Sequence, residues 1–134
     1  MSLPLRILIA DDHEPFRTMI KSLLRSLGAE VVECRDGRDA LQRFDEFAPD
    51  WVLMDVEMPV LDGLAATRQL IAGSPRARVV ILTQHNDEQS RAAARAAGAC
   101  GFVPKDELEL LTPILFPPQN DTPHSSTNTK QPTL

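Results

Sequence analysis

The sequence is poor in the residues that define several classes of protein. It has no tyrosine, one tryptophan and two cysteines, and only 4% of its 134 residues are aromatic. Two unclustered cysteines, Cys34 and Cys100, indicate neither a disulfide scaffold nor a zinc site. No apolar stretch approaches the length that crosses a bilayer, and the N-terminus lacks a signal-peptide pattern. We therefore expect a cytoplasmic protein with reduced thiols and no membrane association.

Positive charge is also scarce. The chain has 14 Lys and Arg against 19 Asp and Glu, a formal net charge of −5 at pH 7. An acidic chain is poorly suited to hold nucleic acid by itself, so we expect no direct nucleic-acid binding. The length suits one domain, which the apolar pattern places in residues 1–116. The polar, proline-containing stretch 117–134 is predicted to be a disordered tail or a linker.

Short apolar runs alternate with helical patterns along the whole domain. The runs predict five strands, near residues 5–10, 29–33, 51–54, 79–82 and 101–104. Because a helical stretch follows each strand, we expect an α/β fold with a doubly wound parallel sheet. Right-handed crossovers then place the carboxyl ends of all five strands on one edge of the sheet. The spacing does not give the order of the strands.

Capping signals bound the predicted helices. The first helix opens at Pro15 and ends at Gly28, and its apolar residues share one helical face. These are Phe16, Met19, Ile20, Leu23, Leu24 and Leu27. Asp62 is a candidate N-cap for the third helix, and Asn86 or Asp87 for the fourth. Asp106 with Glu109 is typical of a capping box for a last helix, which Pro113 would shorten or kink.

Reactive side chains follow four of the predicted strands. Asp11 and Asp12 follow the first strand, Asp55 the third, Thr83 the fourth and Lys105 the fifth. Because these strand ends share one edge, we expect the side chains to converge. Three crowded carboxylates should raise at least one pKa, and a hard cation such as Mg²⁺ (or Mn²⁺) would relieve the repulsion. A carboxylate nucleophile, a metal, a hydroxyl donor and an ammonium suit phosphoryl transfer to an aspartate.

The motifs around these residues resemble those of receiver domains of two-component response regulators. The resemblance runs from about residue 5 to residue 115 and rests on D-D-H-E-P-F-R, L-M-D-V-E-M-P-V-L-D-G, V-V-I-L-T-Q-H and G-F-V-P-K. It implies the flavodoxin-like receiver fold, a three-layer α/β/α arrangement with strand order 2-1-3-4-5. It also implies a phosphoacceptor switch and not an enzyme, apart from self-phosphorylation and autodephosphorylation.

The resemblance assigns roles around a metal. Asp55 would accept a phosphoryl group from a sensor histidine kinase or a phosphotransfer protein. Asp12 and Asp55 would bind Mg²⁺ directly together with the backbone carbonyl of Glu57, and Asp11 would help through water. Lys105 would pair with the phosphate.

The resemblance also assigns a switch. Thr83 would move toward the phosphate, and Phe102 stands at the family's switch aromatic, whose rotamer reports the state of Thr83. Because phenylalanine lacks a hydroxyl, we expect this switch to depend on burial alone. Glu57 and His85 flank the phosphate in the family, and we hypothesise that they set the rate of autodephosphorylation. A homodimer through the fourth helix, fifth strand and fifth helix is a further expectation.

Simpler interpretations stand beside these. Phe102 is explained equally well as core, His13 as a solvated residue without catalysis, and Arg91 with Arg95 as a solvated face. Alternative functions are a phosphohydrolase with Asp55 as nucleophile and a phosphate-independent interaction module of the same fold. Control of transcription would need a DNA-binding output outside this chain. Whether the chain is a stand-alone receiver or a piece of a longer regulator stays open.

Two residues depart from the common pattern. Asp106 stands after Lys105 where many relatives have proline. The D-D-H opening and this K-D ending resemble relatives that carry a helix-turn-helix output domain. Gln84 is larger than the usual residue after Thr83, and we expect it to narrow access to the phosphate.

Overall fold

The strands end together at the edge of the sheet where the sequence concentrates its acids. The computed structural model describes residues 3–118, and the part of the predicted tail from residue 119 onward lies outside the described residues. The strands are β1 (Arg6–Ala10), β2 (Glu30–Cys34), β3 (Trp51–Asp55), β4 (Val79–Thr83) and β5 (Gly101–Pro104). The helices are α1 (Glu14–Ser26), α2 (Gly37–Phe47), α3 (Gly63–Gly73), α4 (Glu88–Ala97) and α5 (Leu111–Leu115), with a 3-10 turn at Leu108–Leu110.

All five strands form one parallel sheet in the order β2-β1-β3-β4-β5, as the resemblance implied. Every residue of β3 and β4 is buried, which explains why their sequences are almost uninterrupted apolar runs. Asp55 pairs with Leu82, and Thr83 with Pro104, so neighbouring strands deliver their last residues to the same edge. Within the described part of the chain, no helix is both long and apolar enough to cross a membrane.

Helices cover both faces of the sheet. One face packs Ile20 and Leu24 of α1 and Leu111 and Leu115 of α5 against alternate strand residues. The other face packs against α2, α3 and α4, whose buried residues include Ala40, Ala66, Leu70 and Ala94. The predicted three-layer α/β/α arrangement is therefore confirmed.

The apolar face of α1 is only partly buried. Ile20 and Leu24 are fully buried, and Phe16 is half-buried. The others remain exposed by 50% (Met19), 39% (Leu23) and 43% (Leu27). The buried residues form one line along the helix that faces the sheet. The exposed residues form a second line beside it, since Met19 and Leu23 each directly precede a buried residue. Helical spacing fits both lines, so the sequence pattern alone did not separate them.

Two predicted helix caps form and a third does not. Asp62 accepts a hydrogen bond from the amide of Ala65 at 2.9 Å, and Asp87 accepts one from the amide of Ser90 at 2.7 Å. The capping box predicted at Asp106 is wrong: helical structure begins two residues later, and no side chain of the described residues caps it. The amide of Glu107 instead donates to the carbonyl of Pro104, which makes a turn where the cap was expected.

Candidate functional site

The carboxyl edge of the sheet brings the predicted acids together. One carboxylate oxygen from each of Asp11, Asp12 and Asp55 lies within 4.8 Å of the others. Asp11 and Asp55 are buried, whereas Asp12 is exposed. The cluster is therefore held by two buried strand ends and reaches solvent at Asp12.

Lys105, which follows β5, points into this cluster. Its Nζ lies 2.7 Å from Oδ2 of Asp11 and 3.2 Å from Oδ1 of Asp55, and the side chain is only 12% exposed. Burial alone would lower the pKa of Lys105, but the hydrogen bond to Asp11 and the attraction of both carboxylates raise it. The side chain is thus an ammonium at neutral pH. Three carboxylates and one ammonium leave a charge of about −2, which a divalent cation would neutralise.

Asp55 is held where its negative charge is disfavoured. Burial, and then repulsion from Asp11, raise its pKa to about 6, while Lys105 opposes the rise. The prediction that a crowded carboxylate would show a raised pKa is confirmed. Among the described residues, the candidate ligands that converge here are carboxylate oxygens, and hard oxygen ligands are what Mg²⁺ prefers, so the residues fit that ion.

Thr83 stands beside the acids with its hydroxyl only partly engaged. It is 2% exposed, and its Oγ1 accepts a hydrogen bond from the amide of His85 at 3.1 Å. The hydroxyl hydrogen stays available to a ligand, because that bond uses the oxygen as acceptor. The site opens into a cavity of about 510 Å³. Its lining residues are Asp12, His13, Phe16, Met19, Asp55, Glu57, Thr83, Gln84 and Lys105.

Glu57 is mostly exposed and lines this cavity at its mouth, and it contacts His85, which does not line the cavity. Nε2 of His85 lies 3.2 Å from Oε2 of Glu57, and both side chains are mostly exposed. The resemblance placed each of them beside the phosphate separately, and neither it nor the sequence predicted their contact. Gln84 also lines the cavity, in the place where its size was expected to restrict access.

The start of α1 holds Asp11 through contacts that the sequence did not reveal. The amide of His13 donates to Oδ1 of Asp11 at 2.8 Å, and Nδ1 of His13 accepts from the amide of Phe16 at 3.3 Å, capping the helix. Arg17 is buried, and its Nη1 donates to the carbonyl of Asp11 at 2.6 Å. Both the backbone and the carboxylate of Asp11 are therefore fixed.

Glu33 on β2 completes the surroundings of Arg17. It accepts hydrogen bonds from Lys21 and from Nε of Arg17, each at 2.8 Å, and these bonds lower its pKa. The sequence did contain a signal for the burial of Arg17. This residue precedes the buried Ile20 and Leu24 by three and seven residues, which is the spacing of one helical face.

Phe102 in β5 is covered by an arginine. Cζ of Arg91 lies 4.6 Å from the ring centroid, and the same guanidinium donates to Oδ1 of Asn86 at 2.7 and 3.1 Å. A cation over a ring adds electrostatic attraction to packing, so burial is not the only interaction that holds Phe102. The solvated-face interpretation describes Arg91 only in part, because this side chain is half-buried against Phe102. It suits Arg95, which is 67% exposed and pairs with Glu88.

Comparison with known families and sequences gives a consistent set of matches. A family model described as "Response regulator receiver domain" matches residues 7–114. The chain is 37% identical over 102 residues to the chemotaxis protein CheY of Listeria monocytogenes, covering 75% of this chain and 86% of that protein. It is 39% identical over 103 residues to the response regulator GacA of Pseudomonas aeruginosa, covering 75% of this chain and 48% of that protein.

Solved structures show the same similarity. A two-component response regulator of the LuxR family from Aurantimonas sp. SI85-9A1 has a TM-score of 0.76 at 35% identity, covering 84% of this chain and 83% of that one. A complex of CheX, CheY, BeF3 and Mg²⁺ from Borrelia burgdorferi has a TM-score of 0.77 at 24% identity, which shows a shared fold alone. The chain spans 44% of the transcriptional regulatory protein DegU of Brevibacillus brevis, and thus about half the length of several curated relatives.

Proposed function

Because this chain belongs to the response regulator receiver domain family, we propose that Asp55 is the phosphoacceptor of a two-component signalling switch. The observation that carries the proposal is the convergence of Asp11, Asp12 and Asp55 with Lys105 at one edge of the sheet. A receiver domain is a phosphoacceptor switch rather than a classical enzyme, so the phosphohydrolase alternative is not retained. The phosphate-independent module is disfavoured because every residue of the reactive cluster is present.

The chemistry follows from the positions of three side chains. A carboxylate oxygen of Asp55 attacks the phosphorus of a phosphohistidine; the new P–O bond forms as the P–N bond breaks, and the imidazole leaves with the electron pair and is protonated by solvent. Lys105 neutralises charge on the phosphoryl oxygens, and the hydroxyl of Thr83 donates to one of them. Attack requires ionised Asp55; burial and Asp11 raise the pKa of this carboxyl in the metal-free site, and a bound divalent cation would lower it again.

The metal belongs to the same cluster. The acidic group of Asp11, Asp12 and Asp55 is typical of the Mg²⁺ site of receiver domains. We assign direct binding of Mg²⁺ (or Mn²⁺) to Asp12, Asp55 and the backbone carbonyl of Glu57, with Asp11 acting through water. This division is supported by the existing contacts of Asp11, whose two oxygens already face His13 and Lys105. A bound ion would neutralise the phosphoryl oxygens as they approach Asp55.

The proposals for the switch and for the partners also rest on membership of the receiver domain family. Receiver domains interact with histidine kinases; for this chain we propose a sensor histidine kinase or a phosphotransfer protein, in the cytoplasm. Thr83 then moves toward the phosphate and Phe102 turns inward, changing the surface of α4, β5 and α5. A homodimer through that surface would appear as a phosphorylation-dependent increase in mass by sedimentation; an unchanged mass would reject it.

The proposed domain covers residues 1–116, with residues 117–134 as a polar tail or linker. A stand-alone receiver and the receiver portion of a longer regulator are both compatible with this division, because the matched relatives include proteins of both lengths. Control of transcription would need a DNA-binding output outside residues 1–134.

Phosphorylation of Asp55 can be tested by mass. The wild type, Asp55→Asn and Asp50→Asn are incubated with Mg²⁺ and a small phosphodonor, and intact mass is measured. Asp50 precedes β3 at the opposite end of the strand and serves as a matched control. We expect one phosphoryl adduct on the wild type and on Asp50→Asn and none on Asp55→Asn. An adduct on all three proteins, or on none, would contradict the proposal.

A further inference from the structure

Lys105 has a neighbour besides the carboxylates. Its Nζ lies 4.4 Å from the centroid of the Phe16 ring, at the start of α1. An ammonium over an aromatic face at this distance is attracted by the ring quadrupole, and the attraction grows when the cation is shielded from water. Lys105 meets that condition because its side chain is only 12% exposed.

The ring is held in place by the helix that carries it. The amide of Phe16 donates to the N-capping His13, and Arg17 ties the next position to the carbonyl of Asp11. The ring itself packs against the core cluster that contains Ile20 and Leu24. Phe16 is thus a fixed surface, whereas lysine has a flexible stem with four carbons.

The need for such a surface comes from the charges of the site. The other partners of Lys105 are the carboxylates of Asp11 and Asp55. A divalent cation in the same cluster weakens the pull of those carboxylates on the ammonium and repels it. The attraction of an uncharged ring does not depend on the carboxylates, so it persists when the cluster is neutralised.

We infer that Phe16 is a positioning residue that keeps Lys105 over the phosphoacceptor when the acidic cluster holds a metal ion. The inference rests on the proposed function and deepens it, since it assigns a role to an apolar residue of α1 that contributes no polar atom to the site. Phe16 acts through Lys105 and not by touching the phosphoryl group.

The contact between ring and ammonium can be varied without changing the shape of the side chain. Mono-, di- and trifluorinated phenylalanines are incorporated at position 16, alongside Phe16→Leu. We expect the rate of phosphorylation by a small phosphodonor with Mg²⁺ to fall stepwise with fluorination, by about two- to fivefold for Phe16→Leu. The NMR resonances of the Lys105 Cε methylene should lose the ring-current shift in Phe16→Leu, both with and without Mg²⁺.

Phe47→Leu provides the control. Phe47 also lies under a cation, with Cζ of Arg6 4.1 Å from its ring, but it ends α2 and does not line the site. Its variant should keep the wild-type rate. Equal rates across the fluorinated series would overturn the inference even if Phe16→Leu is slower, because packing alone would then explain the loss. If the wild type takes up no phosphoryl group, the proposed function fails, while the Lys105 resonances still decide whether Phe16 holds the lysine.

Discussion

At the scale of single residues, the contact between Glu57 and His85 links two loops beside the phosphoacceptor site. The two side chains come from the loops after β3 and β4 and lie 3.2 Å apart, and of the two only Glu57 lines the cavity. Hydrolysis of an aspartyl phosphate requires a water molecule in line with the bond that breaks, so groups at the mouth control its approach. By holding Glu57 in place, His85 should help to restrict that water.

We therefore expect His85→Ala and Glu57→Asn each to change the lifetime of phosphorylated Asp55, with His85→Ala shortening it severalfold because it frees the Glu57 side chain at the mouth to move aside. The measurement is the loss of the phosphoryl adduct with time, followed by intact mass after removal of the donor. Glu46→Gln, an exposed carboxylate change on α2, should leave the lifetime as in the wild type. Unchanged lifetimes in both site variants would reject a role for the pair.

At the scale of elements, α4 and β5 are linked by one arginine. Arg91 stacks on Phe102 and donates to Asn86, and Asn86 donates to Glu107 at 3.4 Å. The loop after β4, the first turn of α4 and the turn after β5 are thus joined around the proposed switch aromatic. If Phe102 turns inward as proposed, it would leave its contact with Arg91, and that contact would then favour the unphosphorylated arrangement.

Replacing that arginine should make the switch easier to operate. Arg91→Met keeps most of the stem and removes the charge; we expect it to bind the phosphate mimic beryllofluoride about two- to fivefold more tightly, since an exposed cation–π contact contributes about 0.5–1 kcal/mol. Binding is followed by NMR titration with Mg²⁺. Arg95→Met, one turn along α4, is the matched control and should bind as the wild type does. Weaker or unchanged binding by Arg91→Met would show that the contact does not restrain the switch.

The same elements show how far the sequence predicted the fold and the site. The five strands and the convergence of Asp11, Asp55 and Lys105 followed from apolar runs that end in polar residues, because parallel strands share one edge. The strand order came only from the resemblance. The local pattern gave a wrong prediction at Asp106. The spacing of Asp106 and Glu109 is that of a capping box, but Asp106 lies in a turn and helical structure begins only at Leu108.

Contacts between residues distant in sequence were the main omission. Arg17 with Glu33, Arg91 with Phe102 and Lys105 with Phe16 join elements that only the tertiary fold brings together. Each involves a long cationic side chain whose reach allows several partners, so spacing along the chain does not choose among them.

At the scale of the whole molecule, the raised pKa of Asp55 affects stability. The pKa is about 6 in the folded protein against an ordinary value of 3.8. The folded state therefore holds the proton more tightly than the unfolded chain does. This contribution to stability is complete below a pH of about 4 and is lost as the pH rises through about 6, so that at neutral pH the folded protein lacks roughly 3 kcal/mol of stability that it has in acid.

Asp55→Asn should consequently be more stable than the wild type at pH 7.5 without Mg²⁺, by up to about 3 kcal/mol in the free energy of unfolding. The difference should shrink toward pH 4, where the wild-type carboxylate is protonated. Urea denaturation at both pH values measures this, with Asp50→Asn as the control. Equal stabilities of the wild type and Asp55→Asn at pH 7.5 would contradict the linkage.

The ion pair of Lys105 with Asp11 and Asp55 has a consequence for how the protein is made. Because the polypeptide supplies an internal counterion for part of the acidic charge, we expect a newly synthesised chain to complete its folding in a medium stripped of metal. Acquisition of the ion is then a separate, reversible step. A chelator should accordingly silence the molecule while leaving its architecture intact, and restoring the ion should reactivate it without a refolding phase.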